Sequence, residues 1–219
     1  MFEDVNAEVN RRLKEVKSFY SLIKDNAETE VLDMRVFKGT YFVILYGVLE
    51  YTITASVQKC LSIINQKKYD IIDLKPTLYS MVFNDECNAM IEARDKKWMK
   101  RHDLFSKINC SQVCHIEDNL FPAGSGNIKY QQIESIWNIF GISAPVVNED
   151  KMKGRLSTLA NHRNAIAHGR ELASVIGGRY TISEIENIYN DISTYCSYIT
   201  SVFVFRISKQ PKITRNIQA

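Results

Sequence analysis

Apolar residues recur at three- and four-residue spacing over most of this chain, which is the period of an amphipathic helix. A first helix is predicted from about Asp4 to Lys24, and a second from about Met34 to Asn65. The apolar stripe of the first helix consists of Val5, Val9, Leu13, Val16, Phe19, Tyr20 and Ile23. The second helix is almost entirely apolar in its middle, so we expect it to be the central element of the core.

Three more helices are predicted from residues that commonly begin or end a helix. A third opens at Lys75-Pro76 and runs to about Ala93, because proline is tolerated in a first turn. A fourth covers about Tyr130 to Phe140, and a fifth covers about Lys151 to His168. Gly141 and Gly169 follow these two helices directly, as glycine often does after a helix C-terminus.

The remaining segments contain a capping motif and two predicted breaks. Ser183-Glu-Ile-Glu186 has the form of a capping box, which predicts a last helix toward Phe205. Val175 to Tyr180 contains two glycines and predicts a tight turn or a small hairpin. Residues 96 to 126 lose the helical period and include Phe121-Pro-Ala-Gly-Ser-Gly126, which predicts an irregular insertion.

These elements together predict an all-α fold, an up-and-down helical bundle with an irregular insertion around residues 96–126. The length of 219 residues fits a single domain over 1–208, followed by a basic flexible tail over 209–219.

Composition indicates a soluble intracellular protein. Hydrophobic residues make up 45% and charged residues 24%, and the net charge of +3 is too small to establish nucleic-acid binding. The most apolar run, Tyr41 to Val57, is interrupted by Glu50 and is shorter than the roughly 20 residues that span a bilayer. The acidic, polar N-terminus does not resemble a signal peptide. We therefore expect a cytoplasmic location and no membrane partner.

The cysteines support a reducing compartment. They are odd in number, scattered and without a CxxC pair, which argues against a disulfide framework. They are Cys60, Cys87, Cys110, Cys114 and Cys196. Cys110-x3-Cys114-His115 offers three ligands in irregular surroundings, one fewer than a structural zinc site needs, so no metal and no cofactor are expected.

The stretch most indicative of chemistry is Asn161-His-Arg-Asn-Ala-Ile-Ala-His-Gly169. Asn164 and His168 are four residues apart and share one face of the predicted helix. Arg163 lies about 140° from His168, so only its long side chain could bring the guanidinium near the imidazole. Arginine stabilises phosphate charge and histidine transfers protons near neutral pH, a combination that suggests phosphate-ester chemistry. The alternative is a capping and ion-pairing couple at a helix end.

Three other side chains are supporting candidates, each with an alternative. Glu50 lies in an apolar run, so its carboxylate needs a partner. One interpretation is an ion pair with Arg163 that fixes the guanidinium. The other is that Glu50 bonds a hydroxyl or another helix and only stabilises the bundle. Arg155 extends a basic strip or is a solvated charge. His162 touches substrate across a dimer axis or is an exposed helix histidine, and we favour the exposed histidine.

The densest basic run is Lys96-Lys-Trp-Met-Lys-Arg-His102, with an aromatic residue inside it. Such a mixture binds phosphates and stacks a base in some proteins. More often it is the solvated end of a helix with one anchored tryptophan, and we favour that interpretation.

Arg163, four intervening residues and His168, with Asn164 directly after the arginine, resemble the Rx4–6H signature of the HEPN superfamily. The resemblance extends to the MAE-type HEPN-like nuclease branch, through the apolar helix with an internal glutamate (Phe42 to Glu50) and the Leu156 to Gly169 stretch. It implies an all-helical, metal-independent endoribonuclease whose motif helices from two protomers form one site. Such proteins often act as toxins in toxin–antitoxin or antiviral defence systems, with an antitoxin or defence partner.

The resemblance also implies roles for the motif residues. Arg163 would stabilise the charged phosphorane, His168 would act as general acid or base, and Asn164 would orient one of them or the substrate. Some members carry a tyrosine two residues after the histidine, where a partner enzyme modifies and silences the toxin. Arg170 stands there instead, which puts that control in doubt and adds a cation. The alternative function is a non-catalytic HEPN module that binds RNA or a partner protein.

Overall fold

Helices account for most of the regular structure in this protein. A computed structural model describes residues 2–27, 33–93, 95–108, 111–122 and 128–209. Within these residues the α-helices are α1 (Glu3–Asp25), α2 (Met34–Gln66), α3 (Tyr79–Val82), α4 (Asn84–Glu92), α5 (Lys97–Ile108), α6 (Tyr130–Phe140), α7 (Lys151–Ala167), α8 (Ala173–Gly177) and α9 (Ile182–Lys209). The described residues contain no β-strand beyond one isolated antiparallel bridge, Asp70 to Val113. The predicted all-α fold is therefore confirmed.

The centre of the bundle is α2, as its apolar sequence predicted. It packs against α1, α7, α8 and α9, and its buried side chains point in all directions around its axis. The α1 stripe also behaves as predicted, because six of its seven residues are buried and Phe19 is half-buried. Burial of these two helices against each other supplies a large part of the apolar core.

Within the described residues, α2 is the one helix long and apolar enough to cross a membrane by length and composition. Core helices pass the same test, and 56% of the most apolar stretch of α2 is buried inside the protein.

The predicted third helix is divided in the structure. The 3₁₀ turn Pro76–Leu78 leads into the short α3, and α4 follows after Phe83. Leu78, Met81 and Phe83 are all buried in the core. On one regular helix Met81 and Phe83 would point about 160° apart, so the chain bends between them to bury both side chains.

The prediction of an irregular stretch over residues 96–126 is wrong for its first half, because α5 occupies residues 97–108. The apolar residues of α5 are few and alternate with charged ones, so they give only a weak stripe, and of them only Leu104 is buried. Residues 111–122 are irregular, as predicted. The Gly-rich part of the predicted loop, residues 123–126, lies outside the described residues, as does Cys110.

The predicted turn or hairpin at Val175 to Tyr180 is also incorrect, since α8 forms there and packs directly on α2. The two helices approach backbone to backbone. A Cβ atom on Gly177 would lie 1.9 Å from the Arg35 carbonyl oxygen, and one on Gly39 would lie 2.0 Å from the Ala173 carbonyl oxygen. Glycine at position 177 therefore serves close helix packing rather than a hairpin turn.

The last helix begins where predicted, but a different pair caps it. The Thr181 backbone N–H donates to Glu184 Oε2 at 2.7 Å, and the Glu184 N–H donates to Thr181 Oγ1 at 3.2 Å. This reciprocal pattern is a capping box formed by Thr181 and Glu184 rather than by Ser183 and Glu186. Residues 210–219 of the predicted basic tail lie outside the described residues, and the division at residue 208 stays a prediction.

Candidate functional site

The C-terminal end of α7 is held in a single geometry by its backbone. Gly169 has a φ of +64°, a left-handed conformation that favours glycine. Its N–H bonds to the Ile166 carbonyl at 3.0 Å, and the Arg170 N–H bonds to the Ala165 carbonyl at 2.8 Å, which together form a Schellman motif. The predicted helix end at Gly169 is confirmed. His168 and Arg170 therefore project from a fixed turn into solvent.

A solvent-open cleft of about 460 Å³ lies beside this turn. It is lined by Lys129, Asn161, Asn164, Ala165, His168, Arg170 and Glu171. Asn164 and His168 share this face of α7, as their four-residue spacing predicted. The cleft thus brings together an imidazole, two amides, two cations and the carboxylate of Glu171, whose charge is paired with Arg179. These groups can bind a phosphate and transfer protons.

Arg163 turns away from the cleft and toward α2. Its Nη1 donates to Asn164 Oδ1 at 3.1 Å, and its guanidinium lies 5.0 Å from the centre of the Tyr46 ring. Its Nη2 is 3.9 Å from Glu50 Oε2. Arg163 is not among the described residues that line the cleft. Its angular offset from His168 on the helix explains this placement, since the two side chains leave α7 in different directions.

Tyr46 and Glu50 are one turn apart on α2 and form the surface on which Arg163 lies. The Ile128 N–H donates to the Tyr46 hydroxyl at 2.7 Å, and burial raises the pKa of Tyr46, so the ring is a neutral phenol. The structure brings Glu50 and Arg163 together, which agrees with the interpretation of Glu50 as the ion-pair partner of Arg163 rather than of a hydroxyl or another helix. At 3.9 Å and with both side chains about one third exposed, this ion pair orients the guanidinium more than it stabilises the fold.

Two other candidate residues lie outside the cleft. Arg155 Nε donates to Asp191 Oδ2 on α9 at 2.9 Å, so this cation is paired within the chain.

His162 is half-buried, which contradicts the favoured prediction of an exposed histidine. Its Nε2 lies 2.7 Å from the Tyr180 hydroxyl, and its ring packs edge-on against Phe42. Burial lowers the pKa of His162, which favours the neutral imidazole.

Lys129 belongs to no motif in the sequence, yet the structure places it in the cleft. Lys129 directly precedes α6, and its Nζ donates to Asn161 Oδ1 of α7 at 3.0 Å. A cation before the first turn of a helix opposes the helix dipole, so its position was a weak indication of another role. Nothing in the sequence connects it to residue 161, because only the packing of α6 against α7 brings them together.

A metal site finds no support in the part of the chain that the structure describes. No group of three or more His, Cys, Asp or Glu side chains is arranged there to hold an ion.

A helical bundle whose motif helix ends in an Arg-x4-His turn at a polar cleft is the architecture of a HEPN domain. The family model described as HEPN_MAE_28990-like HEPN matches residues 1–211, so the chain belongs to this HEPN family. HEPN domains are commonly ribonucleases or nucleotide-binding domains. A search of curated proteins and a search of solved structures found no match to the chain.

Proposed function

We propose that this HEPN domain is a metal-independent endoribonuclease. The observation that carries the proposal is the open cleft that His168 lines together with Lys129, Arg170 and the amides of Asn161 and Asn164. Had the motif histidine pointed into a sealed core, a structural role would be the better account. Instead, the imidazole is exposed and surrounded by groups that suit a phosphodiester.

The chemistry needs only proton transfer and charge stabilisation. The 2′-oxygen of the RNA attacks the adjacent phosphorus, a bond forms between them, and the bond from phosphorus to the 5′-oxygen breaks. A base takes the 2′-hydroxyl proton, and an acid gives a proton to the leaving 5′-oxygen. The products are a 2′,3′-cyclic phosphate, which water can open to a 3′-phosphate, and a 5′-hydroxyl. DNA lacks the 2′-hydroxyl and cannot follow this route.

The cleft residues are assigned to these steps by their chemistry. His168 is the general acid or base, because imidazole exchanges protons near neutral pH. Lys129 and Arg170 bind the phosphate and stabilise the charge that develops on its oxygens. Arg163 does not line the cleft, so it acts on the phosphate through its charge at a distance, and Asn164 holds its guanidinium through the 3.1 Å hydrogen bond.

A second copy of the chain is part of the proposal. Leu172 is 71% exposed immediately beyond the motif, and Val175 on α8 is also exposed. The two side chains are three positions apart, next to the cleft residues Arg170 and Glu171. We propose that two copies pack there, so that the cations of both motif helices act on one RNA. In the cell, the enzyme would be a cytoplasmic toxin or antiviral effector restrained by an antitoxin or another defence protein.

The test is cleavage of a mixed RNA pool in EDTA, with single-stranded DNA of matching sequence as the control. We expect RNA cleavage that leaves 2′,3′-cyclic phosphate or 3′-phosphate ends, no DNA cleavage, and a dimer in sedimentation analysis. Intact RNA would contradict the nuclease proposal. Cleavage by a monomer would contradict the two-copy site alone.

One observation favours a second candidate, a non-catalytic module that binds RNA or a partner protein. Arg163 contacts Tyr46 and Glu50 instead of lining the cleft, which is how a structural arginine is held. RNA binding without cleavage in the same assay would select this alternative.

Lys129→Ala is expected to lower the cleavage rate by about 10- to 100-fold, less than the about 10²–10³ typical of a water-excluded donor. The reason is that Lys129 supplies a positive charge to the cleft that His168 also lines. The matched control is Lys153→Ala, an exposed lysine of α7 whose ammonium lies 5.0 Å from the Tyr130 ring and does not line the cleft. Rates are compared under single-turnover conditions. An equal loss of cleavage rate in both variants would contradict the assignment of Lys129 to the site.

A further inference from the structure

The helix α5 is scarcely packed against the rest of the protein. Of its described residues only Leu104 is buried, and α4, which connects it to the bundle, has no buried residue. Helices in globular proteins ordinarily bury an apolar stripe. A helix that forms with almost all of its surface in solvent leaves that surface available for a ligand.

Large apolar side chains lie on this exposed surface. Trp98 is 78% exposed and Phe105 is 64% exposed. The favoured prediction of an anchored tryptophan in the basic run is therefore wrong. Seven residues separate the two rings, which places them about 20° apart around the helix and about 10 Å apart along it. They form one aromatic face, and exposed apolar patches of this kind mark interaction sites.

Cations surround this face. Lys96, Lys97, Lys100 and Arg101 are all exposed, and the Arg101 guanidinium lies 4.8 Å from the centre of the Trp98 ring. In the part of the chain that the structure describes, Lys96, Lys97 and Lys100 form no ion pair. Their charges are therefore available to an anionic partner. Lys97 and Arg101 are the two of these that lie within about 80° of Phe105 around the helix, and we call Lys97, Trp98, Arg101 and Phe105 the α5 surface.

The arrangement of charge and aromatic rings favours nucleic acid over a membrane. A helix that binds a membrane separates an apolar face from a cationic one. In α5 a cation lies among the rings, because Arg101 is about 40° from Phe105 around the helix and its guanidinium lies 4.8 Å from the centre of the Trp98 ring. Proteins that bind single strands combine cations for the phosphates with aromatic rings on which bases stack.

We propose that the α5 surface binds single-stranded RNA, with bases stacked on Trp98 and Phe105 and phosphates held by the neighbouring lysine and arginine. The surface is separate from the cleft. None of the described residues that line the cleft belongs to α5. The inference rests on the proposed function only for the choice of RNA as the ligand.

Tryptophan fluorescence provides a direct test, because the chain has two tryptophans and Trp137 is 1% exposed. A single-stranded RNA of about twelve nucleotides is titrated into the His168→Ala protein, which keeps the RNA intact. Stacking is expected to quench the Trp98 emission, and high salt is expected to reverse the quenching. Quenching that is absent, or equal with duplex RNA, would overturn the proposal.

Variants are compared by the anisotropy of a labelled RNA, which does not depend on Trp98 emission. Trp98→Ala and Phe105→Ala are each expected to weaken binding by about 5- to 150-fold, the range for one stacked base. Lys97→Glu is also expected to weaken binding, because it removes a positive charge beside the rings. Leu22→Ala, an exposed apolar residue of α1, is the control for the rings, and Lys14→Glu on α1 is the control for Lys97→Glu. Equal effects in test and control variants would overturn the proposal.

Two outcomes distinguish RNA binding by the α5 surface from the nuclease proposal and from membrane binding. Binding that depends on Trp98 in a protein that never cleaves RNA would support the α5 surface and contradict the nuclease. A blue shift of Trp98 on anionic lipid vesicles, without quenching by RNA, would assign the surface to a membrane and overturn the proposal.

Discussion

Replacing His168 with alanine is expected to lower the rate of RNA cleavage by about 10²- to 10⁴-fold, the usual contribution of a general acid or base. The protein should remain folded, because His168 is exposed and the turn that presents it is built from backbone hydrogen bonds of Gly169 and Arg170. Single-turnover cleavage measures the effect, and circular dichroism confirms the helical content.

The control is His115→Ala, which removes an exposed imidazole from the irregular segment 111–122. It is expected to leave the cleavage rate unchanged. If His115→Ala reduced cleavage as much as His168→Ala did, or if His168→Ala retained full activity, the assignment of His168 would be wrong. Arg163→Ala then distinguishes a role in charge stabilisation from a role in packing, since only the first would slow cleavage without lowering stability.

Gly39→Ala is expected to reduce the free energy of unfolding by about 2–3 kcal/mol, as overpacking of a close contact does. The added methyl group would lie 2.0 Å from the Ala173 carbonyl oxygen. Backbone on both sides of this contact cannot rotate away, so α8 must move off α2. Urea unfolding followed by circular dichroism measures the change.

Gly47→Ala is the matched control, because Gly47 lies on the same helix and a methyl group there would meet nothing within 4 Å. Alanine is the better helix former by up to about 1 kcal/mol, so this variant should be as stable as wild type or more stable. Equal destabilisation by the two substitutions would contradict the close packing of α8 on α2. Displacement of α8 should also slow cleavage, because α8 follows Arg170 and Glu171 of the cleft.

The predicted helices that agree with the structure are those that bury a continuous face. The stripe of α1, the apolar middle of α2, and the ends of α6 and α7 at Gly141 and Gly169 were all predicted at or near their observed positions. In each case the signal is local: a spacing of three and four residues, or a glycine after the last turn. Asn164 and His168 share a face for the same reason, since helix geometry alone sets their relation.

The wrong predictions concern segments whose conformation the local spacing of apolar residues and glycines does not report. The helix α5 has no buried face, α8 is short and depends on contact with Gly39, and the chain bends at Phe83 to bury its ring. The period of apolar residues reports burial rather than helix formation, so a mostly exposed helix gives only a weak pattern. Glycine occurs both in turns and at close helix contacts, so its presence alone does not distinguish the two.

The site divides along the same line. The motif and its order along α7 are visible in the residues, because they lie within nine positions of one helix. Lys129 bonds to Asn161, which lies 32 positions later in the chain. Arg163 contacts Tyr46 and Glu50, which lie more than 100 positions earlier. Local geometry follows from spacing, but which cation lines the cleft with the imidazole depends on how α2, α6 and α7 pack, and packing joins residues that no spacing rule relates.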